Sequence, residues 1–362
     1  MAAKGIRSGE RLGIGENQIL MPTAPFWLFC AGEDSGDILG ESVVREIVGQ
    51  GFGAAGSGGI RMRNAGMREV VPFDDLPVNG FWDAFLHLRK LGRAYSKLAE
   101  LLKDENCRGL VAIDYPGFGM RLMKLALSMG KRVVYVEPPQ IWAWKPNRIR
   151  NFLTPEARAL VEIRAIFDVE CEAYRKFGLD VSQIPHPFDS AAESACPVSK
   201  KEGALLFPGS RIAQIRRNGK LYIEIANKLK EKLPVNFVAS RRGTQKFLEE
   251  MLHGDFPVML SPGNAEERFL LLRRASLVVA NPGSTVVEAF KAKTFCVAAA
   301  RIDPLTFVLG KCFLRTRFLT IPNIERDMRG ERPVIPEIIR STLSDHRLQA
   351  KEALEALAGK LP

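Results

Sequence analysis

The sequence predicts an α/β protein made of two Rossmann-like domains that face a cleft. Its 362 residues, 46% of them apolar, are enough to fill two hydrophobic cores. Short apolar runs rich in β-branched and aromatic residues alternate with longer helical patterns, which is typical of βα units around a parallel sheet. The alternation occurs twice, on either side of a polar stretch at 191–201. We therefore predict an N-terminal domain over 1–190 and a C-terminal domain over 202–340.

The strands of the predicted sheets are short apolar runs, each followed by a helical pattern. In the first half, strands are expected at Phe26–Ala31, Leu110–Ile113 and Arg132–Val136, with helices over Leu39–Val48 and Phe118–Ser128. In the second half, strands are expected at Ala204–Phe207, Asn236–Ala239, Leu277–Ala280 and Phe295–Ala298, with helices from about Ile212, Thr244, Ala265 and Ser284. Residues 341–362 predict a C-terminal helix, for which the N-terminal domain is one candidate packing surface. Ligands of such sheets bind outside the carboxyl ends of the strands, so the loops there are the candidate sites.

The chain is basic, with a formal net charge of +11. A basic surface attracts nucleic acid, anionic lipid or phosphorylated small molecules. Since the sequence contains no recognised nucleic-acid module, we expect no nucleic-acid partner. The six cysteines are widely spaced and form no metal-binding motif, so we expect reduced, mostly buried thiols.

The sequence contains no segment that predicts export or membrane spanning. The first 24 residues lack an apolar core, and no run reaches the roughly 20 apolar residues of a spanning helix. Met21, just before the first strand, is an alternative start that would make 1–20 a disordered extension. We therefore expect a cytoplasmic protein.

Two loops in the second half are typical of anion-binding sites. Pro208-Gly209-Ser210-Arg211 lies between a strand and a long helix, where backbone N–H groups and the helix dipole favour a phosphate. Arg211 would neutralise charge on a departing diphosphate. A second turn, with Gly283 and Ser284, is followed by Glu288, which is suited to ribose hydroxyls. The alternatives are that Ser210 only caps its helix and that Glu288 is a solvent-exposed helix residue.

Two loops in the first half carry carboxylates. The loop after the first strand contains Glu33, Ser35, Gly36 and Asp37, which suit the hydroxyls of an acceptor sugar, or helix capping. Asp114 directly follows the strand at Leu110–Ile113. Partial desolvation there would raise its pKa and make it a general base, although a lone Asp in such a loop is more often a turn or cap residue.

No cofactor and no metal site are predicted. The sequence contains no Asp-x-Asp pair, and its nearest approach, Asp168-Val169-Glu170, lies in a predicted helix. Arg211 and backbone dipoles would then neutralise the charge of a diphosphate. His186 lies between two prolines without a Ser or Cys motif, which favours a hinge or substrate contact over a catalytic base.

The segment from Gly80 to Leu102 predicts an amphipathic helix. Phe81, Trp82 and Phe85 provide aromatic side chains, and Arg89, Lys90 and Arg93 recur at near-helical spacing. Such a helix lies on an anionic membrane with its aromatic side in lipid, or packs on a core like other amphipathic helices. Aromatic density and the basic chain favour the membrane.

Taken together, these loops resemble those of the lipid-A-disaccharide synthase family, inverting glycosyltransferases of GT-B architecture, from about Pro25 to Arg340. The run Ala31–Gly40 is the most specific match to the family's opening signature. Further matches follow in chain order: Gly58–Met62, Gly80–Asp83, Ile141–Lys145, Pro208–Arg211, and Pro322-Asn323 with Pro336-Glu337.

The resemblance implies transfer of 2,3-diacylglucosamine from its UDP carrier to the 6-hydroxyl of 2,3-diacylglucosamine 1-phosphate, giving a β-1,6 disaccharide and UDP. It implies a peripheral protein on the inner face of the inner membrane, with an anionic membrane surface as partner. Asp114 occupies the position of the family's proposed base, and Arg211 serves the UDP. The implied donor residues are Pro208, Gly209, Ser210, Gly283, Ser284, Glu288 and Asn323. The implied acceptor residues are Glu33, Ser35, Gly36, Asp37, Trp142 and Trp144.

Several positions depart from the family pattern. They are Gly117 and Gly119 in place of Asp and Asn, Pro185 in place of Gly, Gln214 in place of Glu, Pro282 in place of Ser, and Arg340 in place of Gln. Two alternatives stay open: another GT-B enzyme acting on UDP-GlcNAc, and a paralogue that binds nucleotide or lipid without catalysis. The opening loop and the Trp-Ala-Trp run disfavour the first, and the changes near Asp114 motivate the second.

Overall fold

The computed structural model describes residues 24–32, 34–73, 76, 81–143, 145–194, 198 and 200–357, without the side chains of 34, 81–88, 194 and 309–313. The described chain divides into two compact units. The first unit runs to Pro138 and includes Thr154–Ile163; the second comprises Pro139–Leu153 and the chain from Arg164 onward.

The N-terminal half alternates strands and helices. In chain order they are β1 (Phe26–Ala31), α1 (Asp34–Gly49), β2 (Gly53–Ser57), α2 (Ile60–Asn64), β3 (Met67–Glu69), α3 (Phe81–Lys103), β4 (Cys107–Ile113), α4 (Pro116–Ser128) and β5 (Arg132–Val136). A 3₁₀ helix (Pro146–Phe152) then precedes α5 (Pro155–Leu160), β6 (Val161–Ala165), α6 (Asp168–Arg175), β7 (Val181–Gln183) and α7 (Pro187–Ser194).

The C-terminal half repeats the alternation. Its elements are β8 (Ala204–Phe207), α8 (Ile212–Leu229), β9 (Val235–Ala239), α9 (Arg242–Leu252), β10 (Val258–Leu260), α10 (Ala265–Arg274), β11 (Leu277–Ala280), α11 (Ser284–Lys291), β12 (Cys296–Ile302), α12 (Pro304–Phe313), α13 (Ile321–Met328), β13 (Glu337–Ser341) and α14 (His346–Leu357).

The two sheets share one strand order. The first is β3-β2-β1-β4-β5-β6-β7, and the second is β10-β9-β8-β11-β12-β13, with every neighbouring pair of the second parallel. In each sheet the chain starts in the middle, builds outward, and then returns to the other side of its first strand. The order therefore reverses between β1 and β4 and between β8 and β11, which are the points where ligands bind in doubly wound sheets.

Hydrophobic cores cover both faces of the second sheet. Alternate residues of β8 belong to opposite clusters: Ala204 and Leu206 to one, Leu205 and Phe207 to the other. Because successive side chains of a strand point to opposite faces, a central parallel strand is apolar throughout, which is why the run Ala204–Phe207 was recognisable in the sequence.

The polar stretch predicted as a linker begins inside a helix. Residues 191–194 are the end of α7, and Phe188 and Ala191 of that helix are buried in the second unit's core with Phe269. The boundary between compact units also lies earlier than predicted, since Arg164 onward belongs to the second unit. The end of α7 was mistaken for a linker because this helix is short and contributes only a few apolar side chains to the core.

The C-terminal helix completes the core of the second unit. Ala350, Ala353 and Leu357 of α14 are buried in the same cluster as Leu221 and Ile225 of α8. Arg340 Nη2, on β13, forms an ion pair with Glu352 Oε1 at 2.9 Å. The small alanines of this helix allow close approach to α8, and packing on the N-terminal domain stays a prediction.

α3 covers the segment predicted to contact a membrane. Arg89, Lys90 and Arg93 are exposed, whereas Phe81, Trp82 and Phe85 lie outside the described side chains. The second half of the helix faces the protein, with Ala94, Leu98, Leu101 and Leu102 buried. In the described part of the chain, no helix combines the length and apolar character needed to cross a bilayer.

Candidate functional site

Asp114 lies at the point where the strand order of the first sheet reverses. It follows β4, and β4 pairs with β1 in parallel, with Ala31 beside Ile113. The loops after these strands are therefore neighbours, and Ser35 Oγ donates a long, 3.5 Å hydrogen bond to Asp114 Oδ2. The structure thus brings together a predicted acceptor residue and the predicted base.

The backbone at Asp114 adopts an unfavourable conformation. Asp114 and Tyr115 have φ of 48° and 46°, in the left-handed region that non-glycine residues rarely occupy. Each such residue costs on the order of 1 kcal/mol, and such strain clusters at functional sites. The N-cap residue of α4 is Tyr115, so Asp114 is not the helix cap that a lone Asp often is. Tyr115 Oη donates to Leu76 O at 2.8 Å, which helps hold the turn.

The glycines of the opening motif allow close packing around this turn. A Cβ at Gly32 would lie 2.7 Å from Tyr115 Cδ1, and one at Gly36 would lie 3.3 Å from Ala31 Cβ. Gly36 is buried at the start of α1. It seats the helix against the sheet, and its contact with the acceptor stays a prediction. Glu33 lies outside the described residues.

Asp37 is a structural residue. Its side chain is buried, and its Oδ2 and Oδ1 accept from the backbone N–H groups of Arg61 and Met62, each at 3.1 Å. It thus caps α2, whose own N-cap residue, Gly59, has no side chain to do so. A Cβ at Gly59 would lie 2.4 Å from Asp37 Oδ2. Asp37 therefore joins the opening motif to the motif Gly58–Met62, which corrects the prediction that its side chain binds the acceptor.

Trp142 belongs to the second unit, whereas Trp144 lies outside the described residues. Trp142 is half-buried and lines a cavity of about 420 Å³. The backbone beside it is fixed by a hydrogen bond from Arg315 N to Ala143 O at 3.0 Å.

The loop Pro208–Arg211 lies where the strand order of the second sheet reverses. Gly209 has φ of 150°, and a Cβ there would lie 2.6 Å from Gln214 Cβ, so only glycine fits. Gln214 Oε1 accepts from Ser210 N at 3.2 Å, so the amide in place of the family's glutamate holds the loop without adding a charge. The N-cap residue of α8 is Arg211, whose side chain makes no capping bond. Ser210 is therefore not the cap.

Asn218, a residue that the motifs did not single out, connects this loop to its neighbours. Its buried Nδ2 donates to Pro208 O at 2.7 Å and to Asn281 Oδ1 at 3.1 Å, while its Oδ1 accepts from Arg301 N at 2.8 Å. The loops after β8 and β11 and the strand β12 are thereby held by one amide group.

Glu288 forms a buried ion pair with Arg268. Arg268 Nε and Nη2 donate to Glu288 Oε2 at 2.8 and 2.6 Å, and Nη2 also donates to Thr285 Oγ1 at 3.1 Å. A further bond runs to Ser261, and the guanidinium lies 5.5 Å from the centre of the Phe207 ring. The alternative that Glu288 is a solvent-exposed helix residue is wrong. Arg268 lies in an ordinary amphipathic helix, so no signal in the sequence identified it.

The turn before Glu288 provides a second helix N-terminus. Gly283 is the N-cap residue of α11 and has no side chain with which to cap it, and Ser284 is exposed at the first turn. Two helices thus begin at the reversal point of the second sheet without side-chain caps from their N-cap residues. Their N–H groups and dipoles suit a phosphate.

Asn323 is buried and uses all of its hydrogen-bonding capacity within the protein. Nδ2 donates to Ile335 O and Glu337 Oε1, and Oδ1 accepts from the N–H groups of Val334 and Ile335, at 2.7 to 2.9 Å. Glu337 Oε1 also accepts from Thr320 Oγ1 at 2.6 Å. The two late family motifs therefore bind each other, which corrects the prediction of a nucleotide contact by the Asn323 side chain.

His186 is packed and neutral. Its Nδ1 accepts from Phe188 N at 3.1 Å, and its ring packs edge-on against the Phe188 ring. Burial, and then the positive charge of Lys291, lower the pKa of His186 from 6.5 to about 4. Glu288 and Asp189 oppose this shift weakly.

The two glycines near Asp114 that depart from the family pattern, Gly117 and Gly119, have different surroundings. Gly117 is exposed with open space where a Cβ would stand, whereas a Cβ at Gly119 would lie 2.9 Å from Tyr135 Oη. An aspartate would therefore fit at 117, while an asparagine at 119 would displace Tyr135.

The described cysteines behave as predicted. Cys30, Cys107, Cys171 and Cys296 are buried and reduced, and burial raises the pKa of Cys30 to about 12. The side chains of Cys196 and Cys312 lie outside the described residues. Within the described ranges, no group of three or more His, Cys, Asp or Glu is arranged to hold a metal ion.

Comparisons with known proteins agree with the geometry. A sequence model described as lipid-A-disaccharide synthetase matches residues 27–361. The lipid-A-disaccharide synthase of Trichlorobacter lovleyi is 30% identical over 350 residues, covering 92% of this chain and 86% of that protein.

Solved structures of low sequence identity share the fold. A putative UDP-N-acetylglucosamine 2-epimerase from Listeria monocytogenes matches with a TM-score of 0.56 and 12% identity, over 94% of this chain and 89% of that one. Arabidopsis thaliana UGT89C1, complexed with UDP-L-rhamnose, matches with a TM-score of 0.53 and 14% identity, over 94% and 92%. The predicted GT-B fold class is confirmed.

Removing the cation of the buried pair should destabilise the second unit. Arg268→Ala is expected to lower the free energy of unfolding by about 3 kcal/mol, because Glu288 is left charged and buried. Adding Glu288→Gln should recover part of that loss, since a neutral amide is less unfavourable to bury. Urea denaturation measures both, with Arg274→Ala, an exposed arginine of the same helix, as control. A loss no larger than that of the control would contradict the buried pair.

Lowering the pH should reduce the free energy of unfolding through protonation of His186. The pKa of His186 is about 4 in the folded chain and 6.5 in the unfolded chain. Between these pH values the unfolded chain therefore binds a proton that the folded chain does not. The stabilisation is complete above pH 6.5 and is lost as the pH falls toward 4, by about 3 kcal/mol. His186→Asn keeps an acceptor for Phe188 N–H but does not titrate, so its unfolding free energy should fall less across this window. The exposed His253→Asn is the control; parallel pH curves for wild type and His186→Asn would refute the assignment.

Proposed function

Because the chain belongs to the lipid-A-disaccharide synthetase family, and is thus a glycosyltransferase that forms the lipid A disaccharide, we propose the reaction in full. The donor is UDP-2,3-diacylglucosamine, the acceptor is 2,3-diacylglucosamine 1-phosphate, and the products are the β-1,6 disaccharide and UDP. The observation that carries the proposal is the location of the family's loops at the reversal points of both sheets.

The second unit binds the UDP. The N-termini of α8 and α11 supply N–H donors, and Arg211 offers a guanidinium beside them. Charge that develops on the departing diphosphate is stabilised by these fixed dipoles and by Arg211, so a metal ion is not required. Ser210, Gly283 and Ser284 line the diphosphate, and Glu288, fixed by Arg268, receives the ribose hydroxyls.

The first unit supplies the base. Asp114 accepts the proton of the acceptor 6-hydroxyl as that oxygen attacks the anomeric carbon, and the bond to UDP breaks in the same displacement. A single displacement inverts the anomeric configuration. The strained turn and the bond from Ser35 support this role, because they hold the carboxylate in place before substrate binds.

The protein works at the inner face of the inner membrane. Its substrates are acylated, its net charge is positive, and α3 exposes Arg89, Lys90 and Arg93. Basic groups near an anionic surface each contribute about 1 kcal/mol, and the aromatic residues Trp82 and Phe85 precede them on the same helix.

Substituting the base and the donor arginine should give different kinetic defects. Asp114→Asn is expected to lower kcat by about 10²- to 10⁴-fold with UDP affinity nearly unchanged, since it removes proton transfer alone. Arg211→Ala should weaken both UDP binding and turnover. UDP release with diacylated donor and acceptor measures turnover, and calorimetry measures UDP affinity.

The exposed Asp180→Asn is the control for the charge change, and the same assay in EDTA is expected to leave turnover unchanged. Near wild-type turnover in folded Asp114→Asn would mean that another residue is the base. Wild type that binds UDP without transfer would favour the paralogue that binds without catalysis.

The membrane contact should depend on the aromatic residues of α3. Trp82→Ser with Phe85→Ser is expected to reduce cosedimentation with anionic vesicles, because apolar area no longer enters the lipid. Leu343→Ser, at an 84% exposed residue elsewhere, should leave it unchanged. Equal sedimentation of the α3 variant and wild type would assign these aromatics to the protein core.

A further inference from the structure

All three guanidinium nitrogens of Arg268 donate hydrogen bonds inside the second unit. Nε and Nη2 both donate to Glu288 Oε2, at 2.8 and 2.6 Å. Nη2 also donates to Thr285 Oγ1 at 3.1 Å, and Nη1 donates to Ser261 Oγ. One planar group thus joins α10, which carries it, to α11 and to the segment after β10. Such a group has little freedom to turn, and its position fixes the carboxylate that it binds.

The two donors to Glu288 bind the same carboxylate oxygen. Glu288 is only 3% exposed, yet its other oxygen, Oε1, accepts no hydrogen bond from any residue that the structure describes. Oε1 also retains contact with solvent, so it is not sealed inside the protein. A carboxylate oxygen in this state accepts readily from a hydroxyl group of a ligand. The ion pair therefore divides the carboxylate into one oxygen bound by the protein and one that is open.

Glu288 lies one helical turn from the loop where the diphosphate is proposed to bind. Ser284 and Glu288 are four residues apart in α11, which places them on the same face of that helix. One turn of a helix spans about 5.4 Å along its axis. In a nucleoside diphosphate the ribose directly follows the diphosphate, so a carboxylate at this separation is suited to the ribose hydroxyls.

We propose that Arg268 is a positioning residue that makes the donor site selective for a ribonucleotide. The proposal rests on the ribose contact of Glu288 in the proposed function. Because Arg268 takes Oε2 with two donors, Oε1 remains as the acceptor for a ribose hydroxyl, and its direction is fixed before the ligand binds. Arg268 also balances a charge that would otherwise be buried without a cation. A lysine would supply the charge but not the planar fork that orients the carboxylate.

Calorimetry with UDP and 2′,3′-dideoxy-UDP separates positioning from stability. Wild type is expected to bind UDP about 10- to 100-fold more tightly than the dideoxy nucleotide, because the hydroxyls bond to a charged oxygen. In Arg268→Lys this ratio of affinities should fall toward one, since the carboxylate keeps a cation but loses its fixed orientation. A merely structural role would weaken both nucleotides equally and leave the ratio unchanged. Arg274→Ala, at an exposed arginine of the same helix, should keep the wild-type ratio.

Two further variants extend the test. Ser261→Ala removes one anchor of the guanidinium outside α11 and is expected to lower the ratio by less than Arg268→Lys. Glu288→Gln should lower the ratio fully, and adding Arg268→Lys to it should lower the ratio no further, because both changes act through one oxygen. An unchanged ratio in folded Arg268→Lys would overturn the proposal. If Arg268→Lys does not fold, an unchanged ratio in Ser261→Ala would overturn it.

The same measurements distinguish failure of this proposal from failure of the proposed function. Equal affinity of wild type for the two nucleotides would refute the ribose contact and the positioning role together. A ratio that depends on Glu288 but not on Arg268 would leave the ribose contact in place and overturn the positioning role alone. A ratio that depends on both residues, in a protein that transfers no sugar, would support the positioning role while the proposed reaction fails.

Discussion

Buried polar side chains that join separate loops are the constraint on which the second unit of this protein depends. The amide of Asn218 holds the loops after β8 and β11 together, and Arg268 joins Glu288 to the ends of other strands. Inside a protein such groups must be fully paired, so a loop cannot move without leaving one unsatisfied. The backbone N–H groups of the two helix N-termini are thereby held in position before any ligand binds.

The same principle explains why several family motifs are structural. Asp37 caps α2 across the opening and second motifs, and Asn323 binds Glu337 across the two late ones. In each case a side chain binds a group that is distant in sequence, and loss of that side chain leaves a buried polar group unpaired. The side chains suited to contact substrate, Ser35 and Asp114 among them, are carried on loops that these pairs and the close-packed glycines fix.

Central strands made of apolar residues were predictable, whereas β2, made of small residues, was not. β1 and β8 were located with their observed bounds, because central parallel strands are apolar on both faces. β2 was missed since its residues, Gly53–Ser57, have little strand propensity. It contains Gly56, where a Cβ would lie 2.0 Å from Phe29 O. Close approach to β1, a tertiary contact, selects these small residues.

The sequence by itself determined the fold class, the family and the loops that surround the site, because strand periodicity and glycine-rich turns are local signals. Tertiary structure alone decided which motif residues are buried in internal hydrogen bonds and which stay accessible. Asp114 and Asp37 are both acidic loop or helix residues in the sequence, yet one is strained and partly exposed while the other is buried against α2. Arg268 and Asn218 became visible only through their partners. A hydrogen bond between residues far apart in the chain leaves no local pattern, so only the folded arrangement reveals it.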